Sequence, residues 1–201
     1  DVVIFQTPTW NGLEFEREFL TKLKILNVKI IVFVHDVIPL MFKANEFLMQ
    51  DYINLYNMAD SIILPSEAMK EKLLQNGLNV KKVIFQRMWD HPHDLDLHEP
   101  IFKKEIYFAG NLSRFPELKT WEGTVPLTVF SNEEQLSLSH QVHIAGWKTD
   151  EEMLLELSKG GFGLVWTTHQ NEEQNIDYYS MNVSYKLSTY LAAGIPVIIP
   201  A

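Results

Sequence analysis

Short apolar runs alternate with longer amphipathic stretches along most of this chain, and the alternation predicts strands and helices in turn. VVIFQ (2–6) reads as a strand. Residues 14–26 read as a helix with Phe15, Phe19, Leu20, Leu23 and Leu26 on one side, and 29–34 as a nearly all-apolar strand. Residues 46–58 carry Phe47, Leu48, Tyr52, Leu55 and Tyr56 at helical spacing, and 61–64 is a short strand. Pro65-Ser66 then opens a helix over 67–75, with Ser66 as N-cap and Gly77 as terminator, before a strand at 83–86. Repeated strand–helix order implies an α/β fold on a parallel sheet.

A break follows. MWDHPHDLDLHEP (88–100) is acidic, contains prolines and has no periodicity, and it reads as a solvated linker. His91, His93 and His98 lie among Asp90, Asp94 and Asp96, but their spacing matches no helical zinc motif, so no metal is expected. A second series then runs through strands at 104–108, 125–131 and near 143. A helix over 150–158, capped by Thr149 or Asp150, and a glycine-softened strand at 160–166 follow. The polar stretch 167–181, with Glu172, Glu173 and Asp177, reads as a loop. The expected organisation is one domain over 1–100, linker included, and another over 101–201.

The most informative stretch is NVSYKLSTYLAAGIPVIIP (182–200). Leu187, Tyr190 and Leu191 recur at helical spacing, Gly194 sits where a helix cap needs positive φ, and Pro196 stops the helix before a buried strand at 197–199. Ser184 and Lys186 thus fall at the helix N-terminus, where unpaired N–H groups and the positive dipole end favour an anion. In open parallel sheets ligands bind beyond the carboxyl ends of strands. By that rule Thr7, Thr9, Trp10 and Asn11, and His35 with Asp36, are candidates after the first two strands. Gly110, Asn111 and Arg114 are candidates after the strand at 104–108. Gly110 lets a ligand approach the backbone, and an arginine can fork two hydrogen bonds onto phosphate oxygens. An isolated arginine there is more often a surface ion pair, and a turn-capping Asp36 beside a packed His35 is the plainer alternative. G-N-L-S-R is not the dinucleotide fingerprint, so no redox cofactor is implied.

Composition narrows the classes. The chain has 201 residues, 46% of them apolar, which is ample for one or two cores. A formal net charge of −9 argues against broad nucleic-acid binding. No run reaches transmembrane length, and the absence of cysteine excludes disulfides and suits a cytoplasmic location. The chain enters a strand at once without a starting Met and stops directly after one, so it reads as an internal segment of a longer protein.

The segments QTPTWN, HDVIPLMF, MWDHP, FAGN with Arg114, GGFGLVW and SYKLSTYLAAGIPVI occur in an order that resembles one family. It comprises the sugar-nucleotide glucosyltransferases that extend O-linked glycans of streptococcal serine-rich-repeat adhesins, related to bacterial galactofuranosyltransferases. The resemblance implies GT-B architecture, with two Rossmann-like domains facing across a cleft, and a UDP-sugar donor. It also implies a glycoprotein acceptor carrying N-acetylglucosamine, and it leaves room for a homo-oligomer. It places Lys186, Arg114, Asn111, Gly110, Tyr185, Ser184, Asn182 and Trp147 on the nucleotide-sugar side, with Trp147 as a candidate to stack on the base. Thr7, Thr9, Trp10 and Asn11 fall on the acceptor side, with Asp36 or His35 as the base or the group orienting the acceptor. Many GT-B enzymes have a Glu three residues after the helix lysine; here Thr189 stands there. Neither a metal nor a cofactor is expected, because Lys186, Arg114 and the helix end can stabilise the leaving diphosphate. The alternatives are a galactofuranosyl- or other hexosyltransferase of cell-surface polysaccharide, or a non-catalytic nucleotide-binding scaffold.

Overall fold

The computed structural model describes residues 1–132, 138–167 and 177–199. They form two compact units, each described by itself. The first comprises residues 1–88 together with 177–183; the second comprises the remaining described residues from Trp89 onward.

In the first unit, β1 (Val2–Thr7), β2 (Lys29–Val34), β3 (Ser61–Leu64) and β4 (Val83–Phe85) make a fully parallel sheet in the order β1-β2-β3-β4. The helices between them are α1 (Leu13–Ile25), the short α2 (Ile38–Met41), α3 (Met49–Tyr56) and α4 (Glu67–Gln75). A 3-10 turn over Lys43–Leu48 precedes α3, so the amphipathic stretch expected as one helix is two elements. Phe47 is correspondingly exposed, whereas Tyr52, Ile53, Leu55 and Tyr56 enter the core. Ser66 caps α4 by accepting the Met69 N–H at 3.0 Å.

The buried face of α1 differs from the expected aromatic stripe. Leu20 is buried, but so is Glu16, while Phe15 and Leu26 are exposed. Phe19 instead stacks at the rim on Phe5, with ring centroids 5.4 Å apart. The reason is polar. Glu16 accepts a hydrogen bond from the Thr7 hydroxyl at 2.7 Å and another from the Thr9 backbone N–H, and these partners offset the cost of burying a carboxylate.

In the second unit, β5 (Ile101–Ala109) is the central strand. β6 (Leu127–Phe130) and β7 (Val142–Ile144) are added on one side, and the helix α5 (Asp150–Leu157) leads to β8 (Gly160–Leu164) on the other. Thr149 is the cap of α5, in a reciprocal capping box with Glu152. The polar stretch 167–181 lies outside the described residues from 168 to 176. From 177 onward the chain forms a short helix, α6 (Tyr178–Met181), whose Tyr178 and Met181 join the core of the first unit. It continues into α7 (Tyr185–Ala192) and β9 (Val197–Ile198), which belong to the second unit. That sheet is parallel, in the order β7-β6-β5-β8-β9. The strand order therefore reverses between β5 and β8, the switch point where open α/β sheets leave a crevice at their carboxyl ends.

One close approach fixes α7 against this sheet. Gly163 faces the ring of Tyr190, and a Cβ at that position would lie 2.2 Å from the ring. The buried Tyr190 hydroxyl accepts the Ala109 N–H at 2.9 Å and donates to the Leu164 carbonyl at 3.2 Å, tying together the ends of β5 and β8. Gly194 closes the helix with φ 76°, as the turn requires.

The stretch 88–100 is less solvated than its composition suggests. Trp89 is buried and stacks on Tyr185 at 4.5 Å, and Leu95 and Leu97 pack against the core of the second unit. His91 Nε2 lies 3.0 Å from Asp150 Oδ2, and its Nδ1 lies 3.2 Å from the Thr189 hydroxyl.

Candidate functional site

The reversal of strand order brings the cationic candidates together. Asn111 follows Gly110 at the end of β5, and its side-chain oxygen accepts the Ser113 N–H at 2.7 Å. That bond shapes a tight turn over Leu112–Arg114, which ends in Arg114. From α7, the Lys186 ammonium lies 5.5 Å from the ring centroids of both Phe108 and Phe115, and the Arg114 guanidinium lies 6.0 Å from that of Phe115. Gly110 gives the lysine stem its space, because a Cβ there would meet Lys186 Cε at 3.0 Å. Ser184 occupies the N-cap of α7, and its hydroxyl makes no capping bond.

Burial among these rings, and secondarily the neighbouring Arg114 charge, lowers the Lys186 pKa from 10.5 to about 8. The aromatic faces return part of the lost hydration energy through cation–π attraction. Lys186 is thus a charged group at neutral pH held in surroundings that disfavour its charge. An anion placed beside it would relieve that cost. Tyr185 is exposed on one side and stacked on Trp89, and Trp147 is exposed in the loop after β7. Among the described residues, no group of three or more His, Asp or Glu converges as a metal-ligand set.

The first unit gathers a second group at the carboxyl ends of β1 and β2. Thr7 is fully buried, and the loop that follows, which includes a cis Thr7–Pro8 bond, is held by Glu16. Trp10 projects from this loop, 73% exposed, with φ 61°. Beneath it lies a cavity of about 180 Å³ lined by Pro8, Trp10, Gly12, Leu13, Glu16, Ile38 and Tyr52. Asn11 donates to the Thr9 carbonyl at 3.3 Å. His35 stacks on Phe33 at 4.7 Å, and its Nε2 lies 2.9 Å from Gln6 Oε1. Burial lowers the His35 pKa, with the Asp36 charge opposing.

Asp36 is engaged by residues far away in sequence. Its Oδ1 accepts the Tyr178 hydroxyl at 2.7 Å and the Asn182 amide at 2.9 Å. Asn182, assigned from the sequence to the nucleotide sugar, therefore stands in the first unit beside Asp36. Glu16 and Tyr178 were missed. Glu16 had a readable signal, since it falls four residues before Leu20 on the same helical face. Tyr178 had none, because it lies in a stretch without periodicity.

No helix among the described residues is long and apolar enough to cross a membrane. Residues 1–88 match the model of the glucosyltransferase 3-like N-terminal domain, and residues 106–201 match that of the glucosyltransferase 3-like C-terminal domain. The chain is 54% identical to Glucosyltransferase 3 of Streptococcus gordonii over 100% of this chain and 60% of the relative. It is also 46% identical to Glucosyltransferase 3 of Streptococcus parasanguinis over 99% of this chain and 59% of the relative. The chain thus spans about three-fifths of the length of these curated relatives. Two crystal structures of the Anabaena protein Alr3699/HepE share the fold. The one with UDP-glucose has TM-score 0.58 and 12% identity, and the one with UDP and glucose has TM-score 0.59 and 13% identity. Each covers 99% of this chain and 59% of the other. The two family models between them match nearly the whole sequence, in order, and the chain belongs to the glucosyltransferase 3-like family.

Proposed function

We propose that this chain is the catalytic part of a glucosyltransferase. It moves glucose from UDP-glucose to an N-acetylglucosamine-bearing serine-rich-repeat glycoprotein, without a divalent cation and in the cytoplasm. The observation that carries the reading is the placement of Lys186 and Arg114 around Phe115, at the strand-order reversal of the second unit. The names of the relatives and the UDP-glucose held by the Anabaena protein support the donor.

Glycosyl transfer breaks the bond between the sugar's anomeric carbon and the diphosphate oxygen and joins that carbon to an acceptor hydroxyl oxygen. Negative charge grows on the departing diphosphate. Lys186, Arg114 and the N–H groups that open α7 are the groups to stabilise it, in surroundings that strengthen each interaction. The acceptor hydroxyl loses its proton as it attacks. Asp36, a carboxylate at the carboxyl end of β2, is the group we assign to receive it, with His35 beside it. Trp10 and the cavity beneath it supply an apolar face and polar edges of the kind that hold a sugar ring.

Calorimetric titration of the full-length protein with UDP in EDTA, against GDP and ADP, tests this reading. UDP-selective binding weakened at least tenfold by Lys186→Ala or Arg114→Ala is the expected result. Binding that requires a divalent cation, or that ignores both substitutions, would overturn it.

A further inference from the structure

Among the described residues, Tyr178 and Asn182 both donate to Asp36, and the atoms fix which way each hydrogen points. The Tyr178 oxygen accepts the Val37 N–H at 3.2 Å and one Asn182 amide hydrogen at 2.8 Å. A phenol has one proton, and the remaining contact, 2.7 Å to Asp36 Oδ1, is where it goes. Asn182 is oriented just as firmly. Its Oδ1 accepts the Val183 N–H at 2.9 Å, so its nitrogen is the end that faces Asp36 Oδ1 and, at 3.4 Å, the His35 carbonyl. Both donors therefore converge on one carboxylate oxygen.

These contacts are not all that docks 177–183 onto the first unit. The Tyr178 ring and Met181 are buried in its core, and the Ser66 hydroxyl donates to the Met181 carbonyl at 2.6 Å. Removing the Tyr178 hydroxyl or the Asn182 amide leaves those anchors in place, at the cost of the acceptor for the Val37 or Val183 N–H.

We propose that Tyr178 and Asn182 are positioning residues for Asp36: they keep its carboxylate charged and turned so that it can take the acceptor's proton. This rests on the reading of Asp36 as the base. Other titratable groups feel the same carboxylate. His35 is adjacent, and the buried hydroxyl of Tyr56, which has no hydrogen-bond partner among the described residues, lies within reach of the Asp36 charge. Hydrogen bonds to the ionised form lower a carboxyl pKa, so deleting either donor raises it. The acid limb of the rate profile then moves to higher pH.

The test uses the full-length enzyme, UDP-glucose and a serine peptide bearing N-acetylglucosamine. Tyr178→Phe and Asn182→Ala are expected to lower kcat at least tenfold, to leave KM for UDP-glucose within twofold, and to move the acid limb upward. A carboxyl carbon-13 titration of the same variants reads Asp36 without any acceptor and is expected to shift the same way. An acid limb and a carbon-13 midpoint unchanged in both variants, with only thermal stability reduced, would overturn the proposal. Asp36→Asn tests the underlying reading separately. A loss of kcat of a hundredfold or more upholds it, and wild-type kcat would remove it together with the role of Tyr178 and Asn182.

Discussion

Lys186 and Arg114 meet over one aromatic ring, their charged ends 5.5 and 6.0 Å from the centroid of Phe115. Two cations gathered this closely oppose each other, and the Arg114 charge is one of the two causes that lower the Lys186 pKa. The arrangement by itself costs stability. Because the Lys186 pKa is about 8 in the folded protein against 10.5 when unconstrained, the unfolded chain binds more protons between those values. Stability therefore rises with pH from about 8 to 10.5 and lies on a lower plateau below. Replacing Lys186 with Met should stabilise the protein by about 1–3 kcal/mol at pH 7 and flatten that alkaline rise. Urea unfolding across pH measures both, and the same variant should lose UDP binding.

The same pKa sets the pH dependence of binding. UDP affinity should fall above pH 8, as free Lys186 loses its proton, until the pH reaches the raised pKa of the complex. Titrations at pH 7, 8.5 and 9.5 check this; affinity that rises with pH would contradict the assignment.

Gly110→Ala should act on binding more than on folding. The new methyl meets the end of Lys186 at 3.0 Å and the edge of the buried Phe108 ring at 3.1 Å; the lysine is the more flexible of the two, so it shifts and UDP affinity drops about tenfold (~1.4 kcal/mol). The change in melting temperature should be smaller than that of Gly163→Ala, whose methyl would stand 2.2 Å from a ring.

Gly163→Ala should do the reverse. Its methyl would stand 2.2 Å from the Tyr190 ring, which is tied to the backbone at both Ala109 and Leu164 and has little room to yield. A loss of about 3 kcal/mol in denaturant unfolding is expected. Tyr190→Phe, which keeps the ring, should cost about 1 kcal/mol.

Glu16 predicts an effect on the acceptor side alone. Glu16→Ala strips the Thr7 hydroxyl and the Thr9 N–H of their partner and should cost about 2 kcal/mol. It should raise KM for the glycopeptide while leaving UDP affinity unchanged, a split that steady-state kinetics and calorimetry resolve.

Much of the fold was legible because period and punctuation agreed. Ser66, Gly77 and Gly194 mark ends that the structure places at the same residues, and the strand at 61–64 is where its apolar run lies. The cationic half of the candidate site was legible as well, since a lysine at a helix start and a glycine after a strand carry their chemistry locally. What could not be read depended on residues brought together over long separations. Nothing local to Tyr178 or Asn182 signals that Asp36, more than 140 positions earlier, is their partner. The stripe on α1 failed for the opposite reason: a buried carboxylate satisfied by Thr7 and Thr9 displaced aromatic residues that periodicity had favoured.

The return of 177–183 to the first unit has a practical consequence for protein engineering. A cut after Met88 looks natural, yet it separates Asp36 from Tyr178 and Asn182 and leaves the first half without the Tyr178 and Met181 side chains in its core. Chimaeras that graft the second half of a relative onto this chain would import a foreign partner for Asp36 along with the new residues proposed to hold the donor. A swap meant to change the sugar nucleotide alone must therefore be made in two pieces, with residues 177–183 kept from the parent that supplies Asp36.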